Sequence, residues 1–374
     1  MPTIQTIQNS IVLLRADLNL PSLKDDARVI ATLPTIKLLL QNHNKVVLIT
    51  HWGRPEGFEP KWSTSNMVNL LKARLQQEVE FIDQYQSMEL AKQQIATSNC
   101  RVFILENTRF DPREQSKDEQ KRTELASKYT ILGDVFVDEA FAVSHRREAT
   151  NCELKKMLPN CLGLNYQQEI DNLNRIKFSP EHPYIVIISG NKIETKLPLV
   201  EKFLDKADYI LIGGMICFTF IEGKKQLLWE QGKSPDLESL PDLKDSFIET
   251  DFLPRAKDLL KNYGAKIVLP IDFAYHQTED GKVLAYDVGN KTIEYFSDFL
   301  KDCKTVFWNG PLGFYEMPPF NHGTVEIAKF LTHQTDCYIV TGGGDINSAV
   351  PSEYLEKFSW VSTGGGATLE YLSQ

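Results

Sequence analysis

Cysteine is scarce in this chain: six in 374 residues, and no two stand in a Cys-x-x-Cys spacing. Cys100, Cys152, Cys161, Cys217, Cys303 and Cys337 are scattered. That pattern argues against a disulfide framework or a zinc site and reads as reduced packing residues. No uninterrupted apolar run reaches the ~18 residues that a membrane span needs. Residues 1–10 are polar and lack the apolar core of a signal peptide, so a cytoplasmic protein is expected. Basic residues are in the minority, with 41 Lys and Arg against 50 Asp and Glu, a net charge of −9. A general role on nucleic acid or an anionic membrane needs a broad basic surface, so neither is an expected partner. Two nucleotide fingerprints are also missing. No Gly-x-x-x-x-Gly-Lys-Ser/Thr occurs, which excludes a Walker-type loop. No Gly-x-Gly-x-x-Gly follows the first strand-like run, which counts against a dinucleotide-dependent dehydrogenase.

What is present is an ordinary globular composition, 42% apolar and 24% charged, in a chain long enough for two cores. Four short apolar runs in the first half each lead into a polar cluster with an arginine. Residues 11–14 run into Arg15, Asp17 and Asn19, and residues 46–50 into His51 and Arg54. Residues 102–105 run into Asn107 and Arg109, and residues 135–137 lead through Asp138 and Phe141 to His145 and Arg146. In a parallel α/β sheet such clusters converge beyond the carboxyl ends of the strands. Guanidinium groups grip carboxylate and phosphate through paired planar hydrogen bonds, so the first half reads as an anion site.

Helical patterns alternate with these runs. One follows the first strand, with Pro34 placed at a helix start and Ile36, Leu39 and Leu40 on one face. Residues 65–77, 87–96 and 118–129 read as further connecting helices, which implies βαβ units and a parallel sheet. Residues 147–165 have poor periodicity and contain Pro159 and Gly163, so the first domain is expected to end there. A helix over 167–178 could connect the halves. A second α/β series has strand candidates at 184–188, 209–212, 266–269, 305–308, 337–341 and 360–362. The acidic stretch 236–251 reads as a solvated loop and helix face.

Glycine, not arginine, marks the strand ends of the second half: Gly213-Gly214, residues 310–313, Gly342-Gly343-Gly344 and Gly364-Gly365-Gly366. Glycine there lets backbone N–H groups approach an anion, and the following helix adds its dipole. Lys192 and Lys196 stand four residues apart after the run 184–188, on one face if the chain turns helical. Two ammonium groups there repel each other unless an anion bridges them. Asp345, beside a triple glycine, could anchor Mg²⁺, which prefers one or two carboxylates plus substrate phosphates.

These segments, taken in order, resemble those of the phosphoglycerate kinase family. Leu14-Arg-Ala-Asp-Leu-Asn-Leu-Pro21, Asp26-Ala-Arg28, Thr50-His-Trp-Gly-Arg-Pro55, Glu106-Asn-Thr-Arg-Phe110 and Ser144-His-Arg146 are similar to its substrate segments. Gly190-Asn-Lys192 with Lys196, Trp308-Asn-Gly-Pro311 with Glu316, Gly342-Gly-Gly-Asp345 and Ser362-Thr-Gly-Gly-Gly366 are similar to its nucleotide segments. The resemblance implies two Rossmann-like α/β domains, each a doubly wound, mainly parallel three-layer sandwich. They would be an N-terminal phosphoglycerate domain (1–165) and a C-terminal nucleotide domain (166–374), joined by a hinge helix at about 166–178. It implies 3-phosphoglycerate and 1,3-bisphosphoglycerate as substrates, ATP and ADP with Mg²⁺ at Asp345, hinge closure and a monomer. Asp17, Leu18, Asn19, His51, Trp52, Gly53, Arg54, Arg109 and Arg146 would hold the phosphoglycerate, and Arg28 would meet the transferring phosphoryl group. Lys192 and Lys196 would serve that group and the nucleotide phosphates, and Gly364, Gly365 and Gly366 would open the helix that receives its oxygens. Gly213, Asn309, Gly342, Gly343, Gly344 and Ile346 would line the nucleotide, with Glu316 on the ribose.

The chain departs from the family pattern at several places. Ser189 stands for a glycine, Asn191 for alanine or serine, and Ile346 for serine or threonine. Arg147 and Glu148 replace a small residue and a histidine, and relatives continue past residue 374 with a tail returning to the first domain. These departures motivate an alternative, a catalytically weak relative acting as a binding or regulatory protein. Taken singly, His51 and His145 fit core histidines, and Arg54 and Arg109 fit surface ion-pair partners. Arg15 reads as structural, and Trp308 and Phe218 read as core aromatics rather than a clamp for a base.

Overall fold

The computed structural model describes residues 2–234 and 240–374, which form two compact units, 1–171 and 172–374. In the first unit six parallel strands stand in the order β3-β4-β2-β1-β5-β6. They are β1 (Ile11–Arg15), β2 (Lys45–Ile49), β3 (Glu80–Ile82), β4 (Val102–Leu105), β5 (Val135–Asp138) and β6 (Asn160–Leu162). Strand alternation sorts the apolar residues onto two faces. Val12, Leu14, Val46, Leu48 and Ile104 pack with Ile36, Leu39 and Leu71 on one. Leu13, Val47, Phe103 and Phe136 pack with Ile95, Leu125 and Tyr129 on the other. Burial on both faces is why these strands read as continuous apolar runs.

The second unit repeats the construction with β7 (Tyr184–Ile188), β8 (Tyr209–Ile212), β9 (Ile267–Val268), β12 (Thr305–Asn309), β13 (Tyr338–Gly342) and β14 (Trp360–Ser362). Their order is β14-β13-β12-β7-β8-β9, all parallel. Ile185, Ile187, Val306 and Trp308 face Phe296, Leu300 and Ile327. On the opposite face Phe203 stacks on Phe307, with ring centroids 5.4 Å apart. The two halves of this sheet diverge between β7 and β12, and that switch point is where a doubly wound sheet opens a crevice.

Several expectations are corrected. Pro34 lies inside the helix Ala27–Gln41, not at its start. The helix begins early because the Asp25 carboxylate accepts from the Ala27 N–H and the Asp26 carbonyl from the Ile30 N–H. The first turn is therefore complete before the proline arrives. The poorly periodic stretch 147–165 holds a π-helical segment (Ala149–Glu153), a short helix (Leu154–Met157) and β6. The helix expected at 167–178 begins earlier, at Leu164. A hairpin of β10 (Phe273–Gln277) and β11 (Val283–Val288) has no counterpart in the sequence reading. Cys303 and Cys337, far apart in sequence, bring their sulfurs to 3.1 Å as free thiols. Part of the acidic stretch 236–251 lies outside the described residues. No helix among the described residues is long and apolar enough to cross a membrane.

Candidate active site

In the first unit, the loops after the four neighbouring strands β4, β2, β1 and β5 gather at one sheet edge and are knitted by side chains. Asn19 Oδ1 accepts from the Gly53 N–H at 2.8 Å, and Leu18 N–H donates to Thr50 Oγ1 at 3.1 Å. Asn107 holds the Trp52 backbone from both sides, accepting from its N–H and donating to its carbonyl at 2.7 Å. The Trp52 indole N–H reaches the Leu20 carbonyl at 2.9 Å. Gly53 has a φ of +66°, and a Cβ there would stand 2.5 Å from the Trp62 ring, so only glycine fits.

Four of the expected anion ligands, His51, Arg28, Arg109 and Arg146, come within electrostatic reach of one another on this frame. Arg109 is buried, its Nη1 donating to the Gly53 carbonyl at 2.7 Å and its Nη2 to Glu148 at 3.1 Å. Its Nε is buried without a hydrogen-bond partner. His51 is 1% exposed, with Nδ1 3.3 Å from Arg15 Nη2. A guanidinium can only donate, so Nδ1 accepts and the ring proton resides on Nε2. That Nε2 is also buried without a partner. Burial, then the charges of Arg15, Arg109, Arg146 and Arg28, holds the ring well below the usual histidine range, so it is neutral. Arg146 is half-buried, 4.0 Å from Glu148, and Arg54 is exposed. Arg28, on the helix Ala27–Gln41, is held by Asp17 at 2.5 Å. Arg15, fully buried at the end of β1, is tied into the core network and points no donor outward: its partners are Thr150, Ala16, His51 and Glu148.

In the second unit Lys196 lies in the helix Ile193–Leu204, with Lys192 exposed at its N-cap. Lys196 Nζ donates to Asn309 Oδ1, and Asn309 Nδ2 to the Gly342 carbonyl. This chain of contacts crosses from β7 through β12 to β13. Burial pushes the Lys196 ammonium below its ordinary range, opposed by the charge of Asp345. Asp345 is exposed in the first turn of the helix Gly344–Ala349. Burial, then the charges of Glu316 and Asp345, pushes the Tyr315 hydroxyl above its ordinary range. Gly213 closes β8 with an N–H to the Ile188 carbonyl at 3.0 Å, and Gly364-Gly365-Gly366 opens the helix Gly366–Ser373.

Gly310 makes the tightest approach to another backbone atom among the described glycines. Its φ is +86°, and a Cβ would stand 2.1 Å from the Ser189 carbonyl oxygen. Gly310→Ala is expected to cost about 1–3 kcal/mol, read from the denaturant midpoint, because neither the backbone angle nor the carbonyl can yield cheaply. Two departures are absorbed here. The Ser189 hydroxyl donates to the Pro311 carbonyl, so it fastens the same turn. Ile346 has its side chain buried in the core with Trp308 and Ile339, which leaves its backbone N–H as the group that could meet a ligand.

A cavity of about 510 Å³ adjoins Gly214, lined by Phe218, Phe273, Leu284, Leu312 and Phe314. Its apolar walls suit a flat heteroaromatic ring. Phe218 is buried as expected but also walls this cavity, a role that its apolar spacing could not distinguish from core. Phe273 and Leu284 were hidden for a different reason, since they belong to the unforeseen hairpin.

The comparisons with known proteins converge. A family model described as phosphoglycerate kinase matches residues 3–374. The phosphoglycerate kinase of Corynebacterium aurimucosum is 35% identical over 389 residues, covering 96% of this chain and 92% of that protein. That of Fervidobacterium nodosum is 36% identical over 388 residues, with the same coverage. Among solved structures, phosphoglycerate kinase from Coxiella burnetii superposes with a TM-score of 0.81 at 26% identity, covering 98% of this chain and 94% of that one. The enzyme from Pyrococcus horikoshii gives 0.79 at 27% identity, with the same coverage.

Proposed function

The chain belongs to the phosphoglycerate kinase family, and from that membership we propose how its residues divide the reaction. The activity is reversible phosphoryl transfer between 3-phosphoglycerate with ATP and 1,3-bisphosphoglycerate with ADP. The first unit takes the phosphoglycerate. The observation that carries this assignment is a pair of buried donors without partners, His51 Nε2 and Arg109 Nε, among arginines at one sheet edge. Buried donors are costly to leave unpaired, and an anion satisfies both. Arg146, and the exposed Arg54 from the loop after β2, would complete the cradle.

The second unit takes the nucleotide, with its base in the apolar cavity beside Gly213-Gly214 and its ribose toward Glu316. The phosphates lie along Lys192, Lys196, Asn309 and the Gly342–Gly344 turn. Among the described residues no group of three or more acidic, His or Cys side chains could hold a metal. A lone exposed carboxylate, Asp345, fits Mg²⁺, which takes its remaining ligands from phosphates and water. When bound, the ion neutralises charge on the nucleotide phosphates. The acceptor is a carboxylate already ionised at neutral pH, so no general base is required. Catalysis is positioning plus fixed positive charge on the equatorial oxygens of a loose transition state. Lys196 and Arg28 supply that charge, and the backbone N–H groups from Gly364 to Gly366 add the helix dipole. The reading as a catalytically weak binding protein finds no support in the comparisons.

Arg54→Ala tests the division. It is expected to weaken 3-phosphoglycerate binding about 10- to 100-fold by loss of a charge-assisted contact, with ATP affinity unchanged, both by calorimetric titration. Collapse of ATP binding instead would contradict the assignment of the anion site.

A further inference from the structure

The buried ion cluster of the first unit contains a carboxylate that the reaction scheme leaves unused. Glu148 is 1% exposed. Its Oε2 lies 3.2 Å from Arg15 Nη2 and its Oε1 3.1 Å from Arg109 Nη2. Oε1 also accepts from Gln115 Nε2 at 3.0 Å, and Arg146 Nη1 stands 4.0 Å away. Behind it a second buried carboxyl, Glu114, accepts from the Thr150 backbone N–H and hydroxyl, and that hydroxyl accepts from Arg15 Nε. Arg15 holds this carboxylate from the core side, and at Arg109 it makes the charge-assisted contact that an incoming carboxylate or phosphate would make.

We propose that Glu148 is an internal competitor for the substrate anion: anchored by Arg15, it engages Arg109 in the free protein and lowers the affinity for phosphoglycerate. The proposal rests on the reading that this arginine cluster receives phosphoglycerate. Two effects act in the same direction. A negative charge beside Arg109 repels the arriving anion, and in a buried site that repulsion is weakly screened. The same charge also stabilises the free protein, since without it Arg15 and Arg109 would be buried with no carboxylate between them. A ligand anion therefore brings less new stabilisation than it would to uncompensated arginines. The benefit to an enzyme is plain: ground-state affinity beyond need lowers KM without raising kcat.

Glu148→Gln removes the charge and keeps the shape. At fixed ionic strength the Kd for 3-phosphoglycerate is expected to fall about tenfold, and inorganic phosphate, used as a minimal anion, should also bind more tightly. KM for 3-phosphoglycerate should fall while KM for ATP stays unchanged. The free variant should melt lower, and its gain in Tm on adding 3-phosphoglycerate should exceed the wild-type gain. Structural damage alone cannot tighten binding of one substrate. Unchanged or weakened affinity in folded Glu148→Gln protein would overturn the proposal. If that variant folds poorly, Glu148→Asp keeps the charge with a shorter reach and should hold the affinity within about threefold. A tenfold loss there would show that the carboxylate aims Arg109 at the ligand rather than competing with it, and would overturn the proposal. Arg54→Ala separates the two failures. If it leaves wild-type affinity untouched, the site assignment falls and this inference with it; if it weakens binding while Glu148→Gln does not tighten it, this inference alone falls.

Discussion

Lys196→Ala is expected to lower kcat by on the order of 10²–10³, the usual cost of removing one preorganised charge from the developing transition state. The affinity for 3-phosphoglycerate should be unchanged, because Lys196 belongs to the second unit and the proposed phosphoglycerate ligands to the first. The geometry explains why the loss should appear in kcat. The ammonium is aimed by Asn309 Oδ1, and Asn309 is itself fixed by the Gly342 carbonyl. Its position therefore needs little reorganisation during the reaction. Burial weakens its hold on its proton, and the nearby Asp345 carboxylate resists that weakening. A partly buried cation of this kind exerts more force on a phosphoryl oxygen than one in water. Lys196→Arg should not restore the rate, since a planar fork cannot occupy the position of a compact ammonium. The check is ATP-dependent phosphorylation of 3-phosphoglycerate, coupled to reduction of the product, beside a binding titration. Intact kcat with weakened phosphoglycerate binding would reverse the assignment of the units.

Much of this site could be read from the chain because its chemistry is concentrated at strand ends. An apolar run that stops at an arginine or a glycine shows both the strand and what it presents, as β1, β2, β4, β7 and β13 do. The misses have distinct physical causes. β3 and β6 are three-residue edge strands whose partly exposed residues give no apolar run. Proline is favoured at a helix start, but the helix that holds Pro34 is already started by Asp25 and Asp26 and begins at Ala27, seven residues before it. The cavity wall includes Phe218, which looks like core in any linear pattern, and Phe273 and Leu284 of the unforeseen hairpin. The side chain of Ile346 serves the core, a placement that its position beside a triple glycine does not reveal. Glu148 was visible only as an odd acid after His-Arg-Arg; its two guanidinium partners come from β1 and the loop after β4, 133 and 39 residues away.

That network also predicts the largest loss of stability. Arg15→Met, similar in length but uncharged, is expected to destabilise the first unit by about 3–5 kcal/mol at pH 7, because it removes one partner from a buried ion cluster. Arg15 is fully buried and donates to Thr150, the Ala16 carbonyl and Glu148. The pH dependence separates the charge from the packing. Burial pushes the Glu148 carboxyl up, but Arg15 and then Arg109 bring it below its ordinary value. Burial and the charge of Glu148 push Glu114 up to about 7, with Arg15 opposing. Without Arg15 both carboxyls rise, so the folded variant binds more protons than the folded wild type. Stability falls with pH wherever the native state holds the extra proton, so the gap between the two proteins widens as pH rises and narrows as it falls. Denaturant midpoints at pH 7 and pH 5 should show the gap shrinking at the lower value. A gap equal at both would mean that Arg15 contributes through its packed methylenes, and that the carboxylates beside it do not depend on its charge.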